Sequence, residues 1–236
     1  SADAKFVLVA DTQNHTIRRI DIATGAITIV AGLAGASGAV DGSSSAARFN
    51  QPSAIANSTD GKFALVADTG NHAIRRIDLD TGAVTTLAGQ LGQTGSNDGT
   101  GSNARFFKPQ GVAISADGLF ALVSDSGNHT IRRINLLTGD VTTIAGTAGI
   151  AASGNGIGSA ALFNNPTAVV ISGDGSMALV ADTDNHTIRR INLLTREVKT
   201  VAGLSGTSGS VDGVVPASRL NKPQGLWLSP DGMYAL

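Results

Sequence analysis

One motif recurs four times at a fixed spacing along the 236-residue chain. It reads Asp-Thr/Ser-x-Asn-His-x-Ile-Arg-Arg-Ile, and consecutive copies stand 57 positions apart without insertion or deletion. The copies begin at Asp11, Asp68, Asp125 and Asp182. Self-similarity at a single period is typical of a solenoid, a propeller or another repeat array. The chain must therefore place one short unit in equivalent surroundings several times.

One unit contains four short segments with strand character. They are SAIAN (53–57), KFALVAD (62–68), AIRRID (73–78) and AVTTLAG (83–89). The second segment is apolar on both of its alternating faces and so must be covered on both sides. The pair Asp60 and Gly61 between the first two segments suits a type I′ hairpin turn. Short strands joined by tight turns predict an antiparallel meander, and meanders arranged radially cover each other's faces.

These features predict an all-β fold, a β-propeller of four-stranded antiparallel blades with about four blades in this chain. A parallel β-helix is the alternative, although its coils usually lack two hairpin turns per repeat. Residues 229–236 repeat the pattern of residues 1–8. A closed ring of four blades has one place for that strand, so the duplication favours a larger ring, for example of six blades, or a ring completed by another chain.

The string VADTxNHxIRRI, preceded by a proline and an Asp-Gly turn, resembles the NHL repeat, which is named for its Asn-His-Leu core. In this chain Thr or Ala takes the place of Leu, and Ile follows. The resemblance covers essentially the whole chain. It implies a single NHL-type propeller over residues 1–236, with units at about 1–52, 53–109, 110–166 and 167–223 and a partial unit at 224–236.

Composition bounds the classes of function. The net charge of −1 provides no long-range field for nucleic acid or anionic lipid. Cysteine is absent, which excludes disulfides and thiolate chemistry. No apolar run approaches the ~20 residues of a membrane helix, so no membrane insertion is predicted. The N-terminus shows no signal peptide and begins within a strand pattern, which indicates a mature product or a fragment.

The four Asn-His corners are predicted to be structural. Short polar side chains cap backbone N–H groups of turns, and the histidine can donate to a carbonyl of the overlying loop. Each corner lies roughly 7 Å or more outside the innermost strand, too far from the others for four imidazoles to share a metal at ~2 Å bonds. The predicted structural residues are Asp11, Asn14, His15, Asp68, Asn71, His72, Asp125, Asn128, His129, Asp182, Asn185 and His186.

About twenty Gly- and Ser-rich residues connect successive units, and strand alternation places these long loops on the same face as the corners. Three loops contain an Asp and an Arg seven positions apart, whereas the third loop has Asn155 and Leu162 instead. Because both charges vanish together, we predict ion pairs within the loops. The predicted pairs are Asp41–Arg48, Asp98–Arg105 and Asp212–Arg219, with Phe49, Phe106, Phe163 and Leu220 as apolar anchors. The alternative is a plain Asp-Gly turn beside a solvated arginine.

The paired arginines of each motif lie on a strand that faces neighbouring blades. We expect their stems along an apolar seam and their heads on an aspartate or a carbonyl near the rim. The rival interpretation, a basic stripe for nucleic acid, needs unpaired charge and stacking aromatics.

No nucleophile elbow, phosphate loop, zinc motif or calcium loop is present, so no catalytic, cofactor or metal residue is predicted. The leading hypothesis is a non-enzymatic scaffold or protein-interaction module, extracellular or at the cell surface, within a larger protein or assembly. It would bind a protein partner or other copies of itself through the long-loop face, and no nucleic acid. Asn57 is the candidate glycosylation site. Resemblance to propeller relatives leaves two alternatives, a lyase or hydrolase with an unseen metal in the central channel and an RNA-binding NHL domain.

Overall fold

The computed structural model describes residues 5–229 and 231–236, and their strands form four separate antiparallel sheets, here called blades 1 to 4. Blade 1 contains β1 (Phe6–Asp11), β2 (Thr16–Asp21) and β3 (Ile27–Ala31). Blade 2 contains β4 (Gly42–Ser43), β5 (Pro52–Asn57), β6 (Phe63–Asp68), β7 (Ala73–Asp78) and β8 (Ala83–Ala88). Blade 3 contains β9 (Gly99–Thr100), β10 (Pro109–Ile114), β11 (Phe120–Asp125), β12 (Thr130–Asn135) and β13 (Asp140–Ala145). Blade 4 contains β14 (Gly156–Ile157), β15 (Pro166–Ile171), β16 (Met177–Asp182), β17 (Thr187–Asn192) and β18 (Glu197–Ala202). The predicted all-β propeller architecture is confirmed.

Blades 2, 3 and 4 each gain a fifth strand that the sequence pattern did not predict. In blade 2 the order is β5, β6, β7, β8 and then β4, which lies in the loop arriving from blade 1. Gly42 pairs with Val84 and Ser43 with Ala83 at the outer edge of the sheet. The long loop therefore joins its two blades by backbone pairing as well as by sequence. A single turn of 3₁₀ helix follows each of these edge strands, at Ser44–Ala46, Gly101–Asn103 and Gly158–Ala160.

The hydrophobic core lies between blades. Alternate residues of β6 face opposite neighbours: Leu65 and Ala67 pack with Val123 of blade 3, whereas Val66 packs with Ile17 of blade 1. All five are fully buried. The predicted burial of this strand on both faces is confirmed. Each fully buried Leu or Ile contributes about 1.5–3 kcal/mol relative to exposure, so one blade stabilises the next chiefly through these seams.

The first hairpin turn of blade 2, at Asp60 and Gly61, is not the predicted type I′. A type I′ turn needs positive φ at two central residues, whereas of Asp60 and Gly61 only Gly61, at +71°, has it. Asp60 instead accepts hydrogen bonds at Oδ1 from Ser58 Oγ at 2.6 Å and from the backbone N–H of Lys62 at 3.0 Å. The Asp side chain thus stabilises the turn from within.

The innermost strands line a central channel. β5 contacts β10, and β10 contacts β15. These three strands and residues 224–228 surround a channel with a volume of about 810 Å³. Trp227 and Leu236 exchange backbone hydrogen bonds of 2.8 and 2.9 Å, so residues 227–229 pair with residues 234–236 beside blade 4. The hairpin turn that the repeat predicts within residues 1–4 lies outside the described residues, as does Pro230 in the equivalent turn.

Within the described ranges, no helix has the length and hydropathy needed to cross a membrane.

Candidate functional site

The corner between the second and third strands has the same backbone geometry in all four blades. In blade 2 a 3₁₀ turn spans Thr69–Asn71, and His72 closes it with φ +58° and a backbone hydrogen bond to the Thr69 carbonyl at 3.3 Å. Gly89 crosses this corner with φ +91°, where an added Cβ would stand 2.9 Å from the His72 carbonyl oxygen. The glycine that ends the fourth strand is therefore required by close backbone approach.

Each corner histidine joins its own blade to the chain segment that leads into the following repeat unit, by accepting a hydrogen bond. His72 Nδ1 accepts from the backbone N–H of Lys108, which begins the following blade, at 3.1 Å. The other three joints are His15 with Gln51 at 3.1 Å, His129 with Asn165 at 3.0 Å and His186 with Lys222 at 3.1 Å. The prediction of a structural histidine agrees with this geometry, but the predicted donation to a carbonyl is wrong. Acceptance requires an unprotonated Nδ1, and hence the neutral imidazole with its proton on Nε2.

The corner aspartate is a buried acceptor for three donors. Asp68 Oδ1 accepts the backbone N–H of Asn50 at 2.8 Å. Its Oδ2 accepts Asn71 Nδ2 at 2.8 Å and Arg75 Nη1 at 2.7 Å. Asn71 also donates to the Gly38 carbonyl at 2.6 Å, so the amide holds the loop that arrives from blade 1. These bonds give the Asp and Asn of the motif a defined structural role.

In blades 2, 3 and 4, the first arginine of the Arg-Arg pair holds the arriving loop against the blade. Besides Asp68, the Arg75 guanidinium donates to the carbonyls of Arg48 at 3.0 Å and Val40 at 2.8 Å and to Asp41 Oδ1 at 2.8 Å. Its side chain is fully buried over the ring of Phe49, 5.1 Å from the centroid. The predicted placement of the stem in a seam and the head on aspartate and carbonyl is confirmed for this arginine.

Blades 3 and 4 repeat this joint. Arg132 binds Asp125 and Asp98, both at 2.8 Å. In blade 4, Arg189 binds Asp182 at 2.8 Å and the amide oxygen of Asn155 at 3.1 Å. A neutral acceptor therefore serves at the loop position. In blade 1 the corner is more open: Arg18 reaches Asp11 at 3.2 Å with 37% of its side chain exposed, and Asn14 donates to the same carboxylate at 3.0 Å.

The ion pairs predicted within the loops are not the pairs that the structure forms. Asp41 and Asp98 accept from the buried arginines of the following blade. Arg48 instead donates to the carbonyls of Ser45 and Ala47 in its own loop, at 2.5 and 2.8 Å. Arg105 and Arg219 cap their loops in the same way, so the predicted Asp98–Arg105 and Asp212–Arg219 pairs also do not form.

The physical reason is that a fully buried guanidinium requires a charged or strongly polar acceptor, whereas the partly exposed Arg48 can use loop carbonyls and water. The joint needs only the backbone carbonyl at position 48, and Leu162 supplies that carbonyl to Arg189 at 2.9 Å in blade 4. The absence of both charges in the third loop, which has Asn155 and Leu162, is therefore not evidence for an ion pair within the other loops.

Burial shifts the titration of these groups. Burial raises the pKa of Asp125 to about 6, against the opposing effects of Arg132 and the hydrogen bond from Asn128. It also raises the pKa values of Asp68 and Asp182 above the usual range, for the same reason. Burial lowers the pKa of His72 and of His129. The lowered pKa values of these two histidines favour the neutral imidazole that the joints require.

The channel and the remaining arginines bear on other functions. Small apolar, hydroxyl and amide side chains of β5, β10 and β15, with Trp227, line the channel. Within the described part of the chain, no group of three or more His, Asp or Glu residues is placed to hold a metal ion. In blades 1, 2 and 3 the second arginine of the pair stacks on a phenylalanine of its own blade, as Arg76 does at 3.9 Å from the Phe63 ring centroid. Asn57 is half-buried at the end of β5 beside the channel, and its glycosylation stays a prediction.

The fold and the repeated joints define a propeller-class repeat protein. No family model matches the chain. It is 34% identical over 178 residues, 71% of this chain, to NHL repeat-containing protein 2 of Bos taurus and 31% identical over 175 residues to the Homo sapiens protein of that name. It is 27% identical over 241 residues to Protein SUPPRESSOR OF QUENCHING 1, chloroplastic, of Arabidopsis thaliana. The chain spans only about a quarter of the length of these relatives, 23% to 24%.

Two solved structures share the fold at low sequence identity. A structural genomics protein of unknown function from Bacteroides thetaiotaomicron aligns over 96% of this chain and 62% of its own, with a TM-score of 0.61 and 19% identity. An auxiliary nutrient binding protein from the same organism aligns over 83% of this chain and 44% of its own, with a TM-score of 0.58 and 21% identity. Together with the relatives named above, the corners place this chain in the NHL-repeat family of β-propellers.

Proposed function

We propose that this NHL-repeat propeller is a non-enzymatic scaffold that binds a protein partner, or further copies of itself, through its long-loop face. The observation that carries the proposal is a set of exposed aliphatic side chains on loops that the corner joints hold in place. Leu33 and Val40 are 43% and 49% exposed, Ile150 is 47% exposed, and Val211 and Val214 are 53% and 82% exposed. Exposed apolar groups on fixed loops of a rigid scaffold are typical of protein-binding surfaces.

The chemistry of the corner supports a structural role over a catalytic one. The motif's histidine, asparagine, aspartate and first arginine all engage backbone or side-chain groups of an adjoining blade or loop. Their hydrogen bonds explain why all four histidines of the chain occupy one position of the repeat. A propeller enzyme and an RNA-binding domain stay as alternatives, and no observation on the described residues favours either over protein binding.

A paired capture experiment tests the proposal. The full chain, immobilised, is incubated with an extract of its source organism beside two double variants. One replaces loop residues, Val211→Ser with Val214→Ser, and the other replaces exposed aliphatic residues on the opposite face, Ile22→Ser with Leu137→Ser. We expect a specific partner, or self-association at raised concentration, that only the loop variant loses. Retention of every partner by the loop variant, or capture dominated by RNA, would contradict the proposal.

The cellular location belongs to this proposal as well. Composition favours an extracellular or cell-surface protein, whereas the name of one relative includes the word chloroplastic. Fractionation of the source cells with an antibody against the chain decides between an external and an internal scaffold.

A further inference from the structure

A groove of about 400 Å³ opens on the seam between blades 3 and 4, away from the long-loop face and the channel. Phe120, Arg133, Thr142 and Ile144 of blade 3 form one side, and Gly175, Ser176, Leu193, Leu194 and Arg196 of blade 4 form the other. Its volume lies at the low end of the ~300–1,000 Å³ of ligand sites.

The groove exists because the repeat is broken at this seam. Ser176 stands where the preceding copies have Lys62 and Leu119, and the smaller side chain leaves space. Leu194, 91% exposed, stands where blades 1 and 2 have Ala23 and Asp80 and where blade 3 has Leu137. Leu194 gives the groove an apolar rim, whereas the small Ser176 distinguishes this seam from the one before it.

Arg196 is the sharpest departure. It occupies the turn position of Gly25, Gly82 and Gly139, and it adopts φ +61°. A residue with a Cβ costs roughly 1–2 kcal/mol in this left-handed conformation, so the repeat would be more stable with glycine here. Despite this cost, Arg196 puts a second cationic side chain in the groove that Arg133 lines. The Arg133 guanidinium lies 4.4 Å from the Phe120 ring centroid.

The two arginines are available to a ligand. The ion pairs among the described residues include neither Arg133 nor Arg196. The nearby acids are engaged elsewhere: Glu197 pairs with Lys199 at 2.8 Å, and Asp174 accepts from Ser172 and Ser176. The hydrogen bonds from Ser115 and Leu119 lower the pKa of Asp117, and Arg133 contributes to this lowering after them. The Asp117 carboxylate accepts these hydrogen bonds from the Ser115 hydroxyl and from the backbone N–H of Leu119.

We infer that this groove binds an acidic, aliphatic peptide segment of a partner protein. Guanidinium groups recognise carboxylates through paired N–H donors, while Ile144, Leu193 and Leu194 offer contact to aliphatic side chains. The ligand must therefore carry both kinds of group within a few residues. The inference concerns a surface separate from the long-loop face and does not depend on the scaffold proposed above.

The test uses fluorescein-labelled eight-residue peptides on the full chain. One alternates leucine and glutamate, and its match alternates leucine and lysine. We expect saturable anisotropy with the acidic peptide below about 1 mM and none with the basic one, and amide NMR shifts confined to residues that line the groove. No binding of the acidic peptide to 1 mM, equal binding of both peptides, or shifts confined to the long loops would overturn the inference.

Variants matched to the repeat localise the effect. Arg196→Gly restores the residue of the other blades and relieves the left-handed strain, so it folds, and we expect about tenfold weaker binding. Ser176→Leu introduces the residue found at the equivalent position Leu119, places a larger side chain in the groove and should weaken binding at least as much. The control Lys62→Ser removes the same charge outside the groove, and introduces the residue found at the equivalent position Ser176. Equal losses with Arg196→Gly and Lys62→Ser would show nonspecific attraction, and Arg196-dependent binding of phosphatidylserine vesicles would assign the groove to lipid; either result refutes the inference.

Discussion

Arg132→Leu is the substitution that most sharply probes the joint between blades. It removes the guanidinium that binds Asp125, Asp98 and the carbonyls of Arg105 and Asn97. The Asp125 carboxylate then remains fully buried with only Asn128 Nδ2 and the backbone N–H of Phe107 as donors. Removing one partner of a buried ion pair costs about 3–5 kcal/mol, so we expect the free energy of unfolding to fall by that amount.

Two controls separate the joint from general loss of charge. Arg133→Leu removes the neighbouring arginine, which is exposed and stacks on Phe120, and should cost only about 0.5–1 kcal/mol. Asp98→Asn copies the natural Asn155 of blade 4, which still accepts from Arg189. Because the Asp98 side chain is 48% exposed, this change should cost less than about 1 kcal/mol.

Urea unfolding followed by circular dichroism gives the overall loss. Repeat arrays can unfold in parts, so amide hydrogen exchange of residues 97–105 provides the local measurement. We expect exchange in that loop to accelerate in Arg132→Leu and to stay near the wild-type rate in Arg133→Leu. A loss below about 1 kcal/mol for Arg132→Leu, or equal losses for both variants, would refute the reasoning.

Three further predictions test the turns and joints. Gly89→Ala should lower the free energy of unfolding in urea by about 1–3 kcal/mol more than Gly92→Ala does. Both glycines have positive φ, but only at Gly89 would the added Cβ stand 2.9 Å from a carbonyl oxygen. Equal losses for the two variants would contradict the close approach. Ser172→Ala should raise the pKa of Asp174, because the hydrogen bond from the Ser172 hydroxyl is the largest of the effects that lower this pKa to about 2. The pH-dependent part of the stability difference from wild type should be present above about pH 4 and vanish as pH falls through the native pKa, which NMR titration measures. Burial lowers the pKa of His72, so the hydrogen bond from the Lys108 amide to His72 should be intact above pH 6.5 and lost as pH falls through the lowered pKa. Its loss should be seen as faster hydrogen exchange of the Lys108 amide. An exchange rate whose pH dependence is only the intrinsic one would argue against this hydrogen bond.

Much of the blade could be predicted because its signals are local. Alternation of side chains fixed β7 at the residues expected, and the apolar pattern of β6 correctly required cover on two sides. The edge strand β4 escaped prediction since two residues carry no periodicity and its partner β8 lies about forty positions away. Turn type was misjudged because Asp-Gly is compatible with several turns, and only the φ of Asp60 distinguishes them.

The sequence predicted that the corner residues have a structural role, but it did not predict their hydrogen-bond partners. Repetition of Asp, Asn, His and Arg indicated a structural task, but not which atoms meet. Asp41 lies seven positions from Arg48 and 34 from Arg75, and sequence separation alone favoured the wrong partner. Radial stacking of blades brings the distant arginine to the loop, so the correct pairing requires the three-dimensional arrangement.

Imidazole nitrogen NMR tests the central claim most directly, since that claim makes every corner histidine an acceptor that joins two blades. Uniformly ¹⁵N-labelled protein at pH 7.5 should show four neutral imidazoles with the proton on Nε2 and an unprotonated Nδ1, unchanged by added zinc. Imidazoles protonated on Nδ1, or shifts that move together when metal is added, would contradict the account.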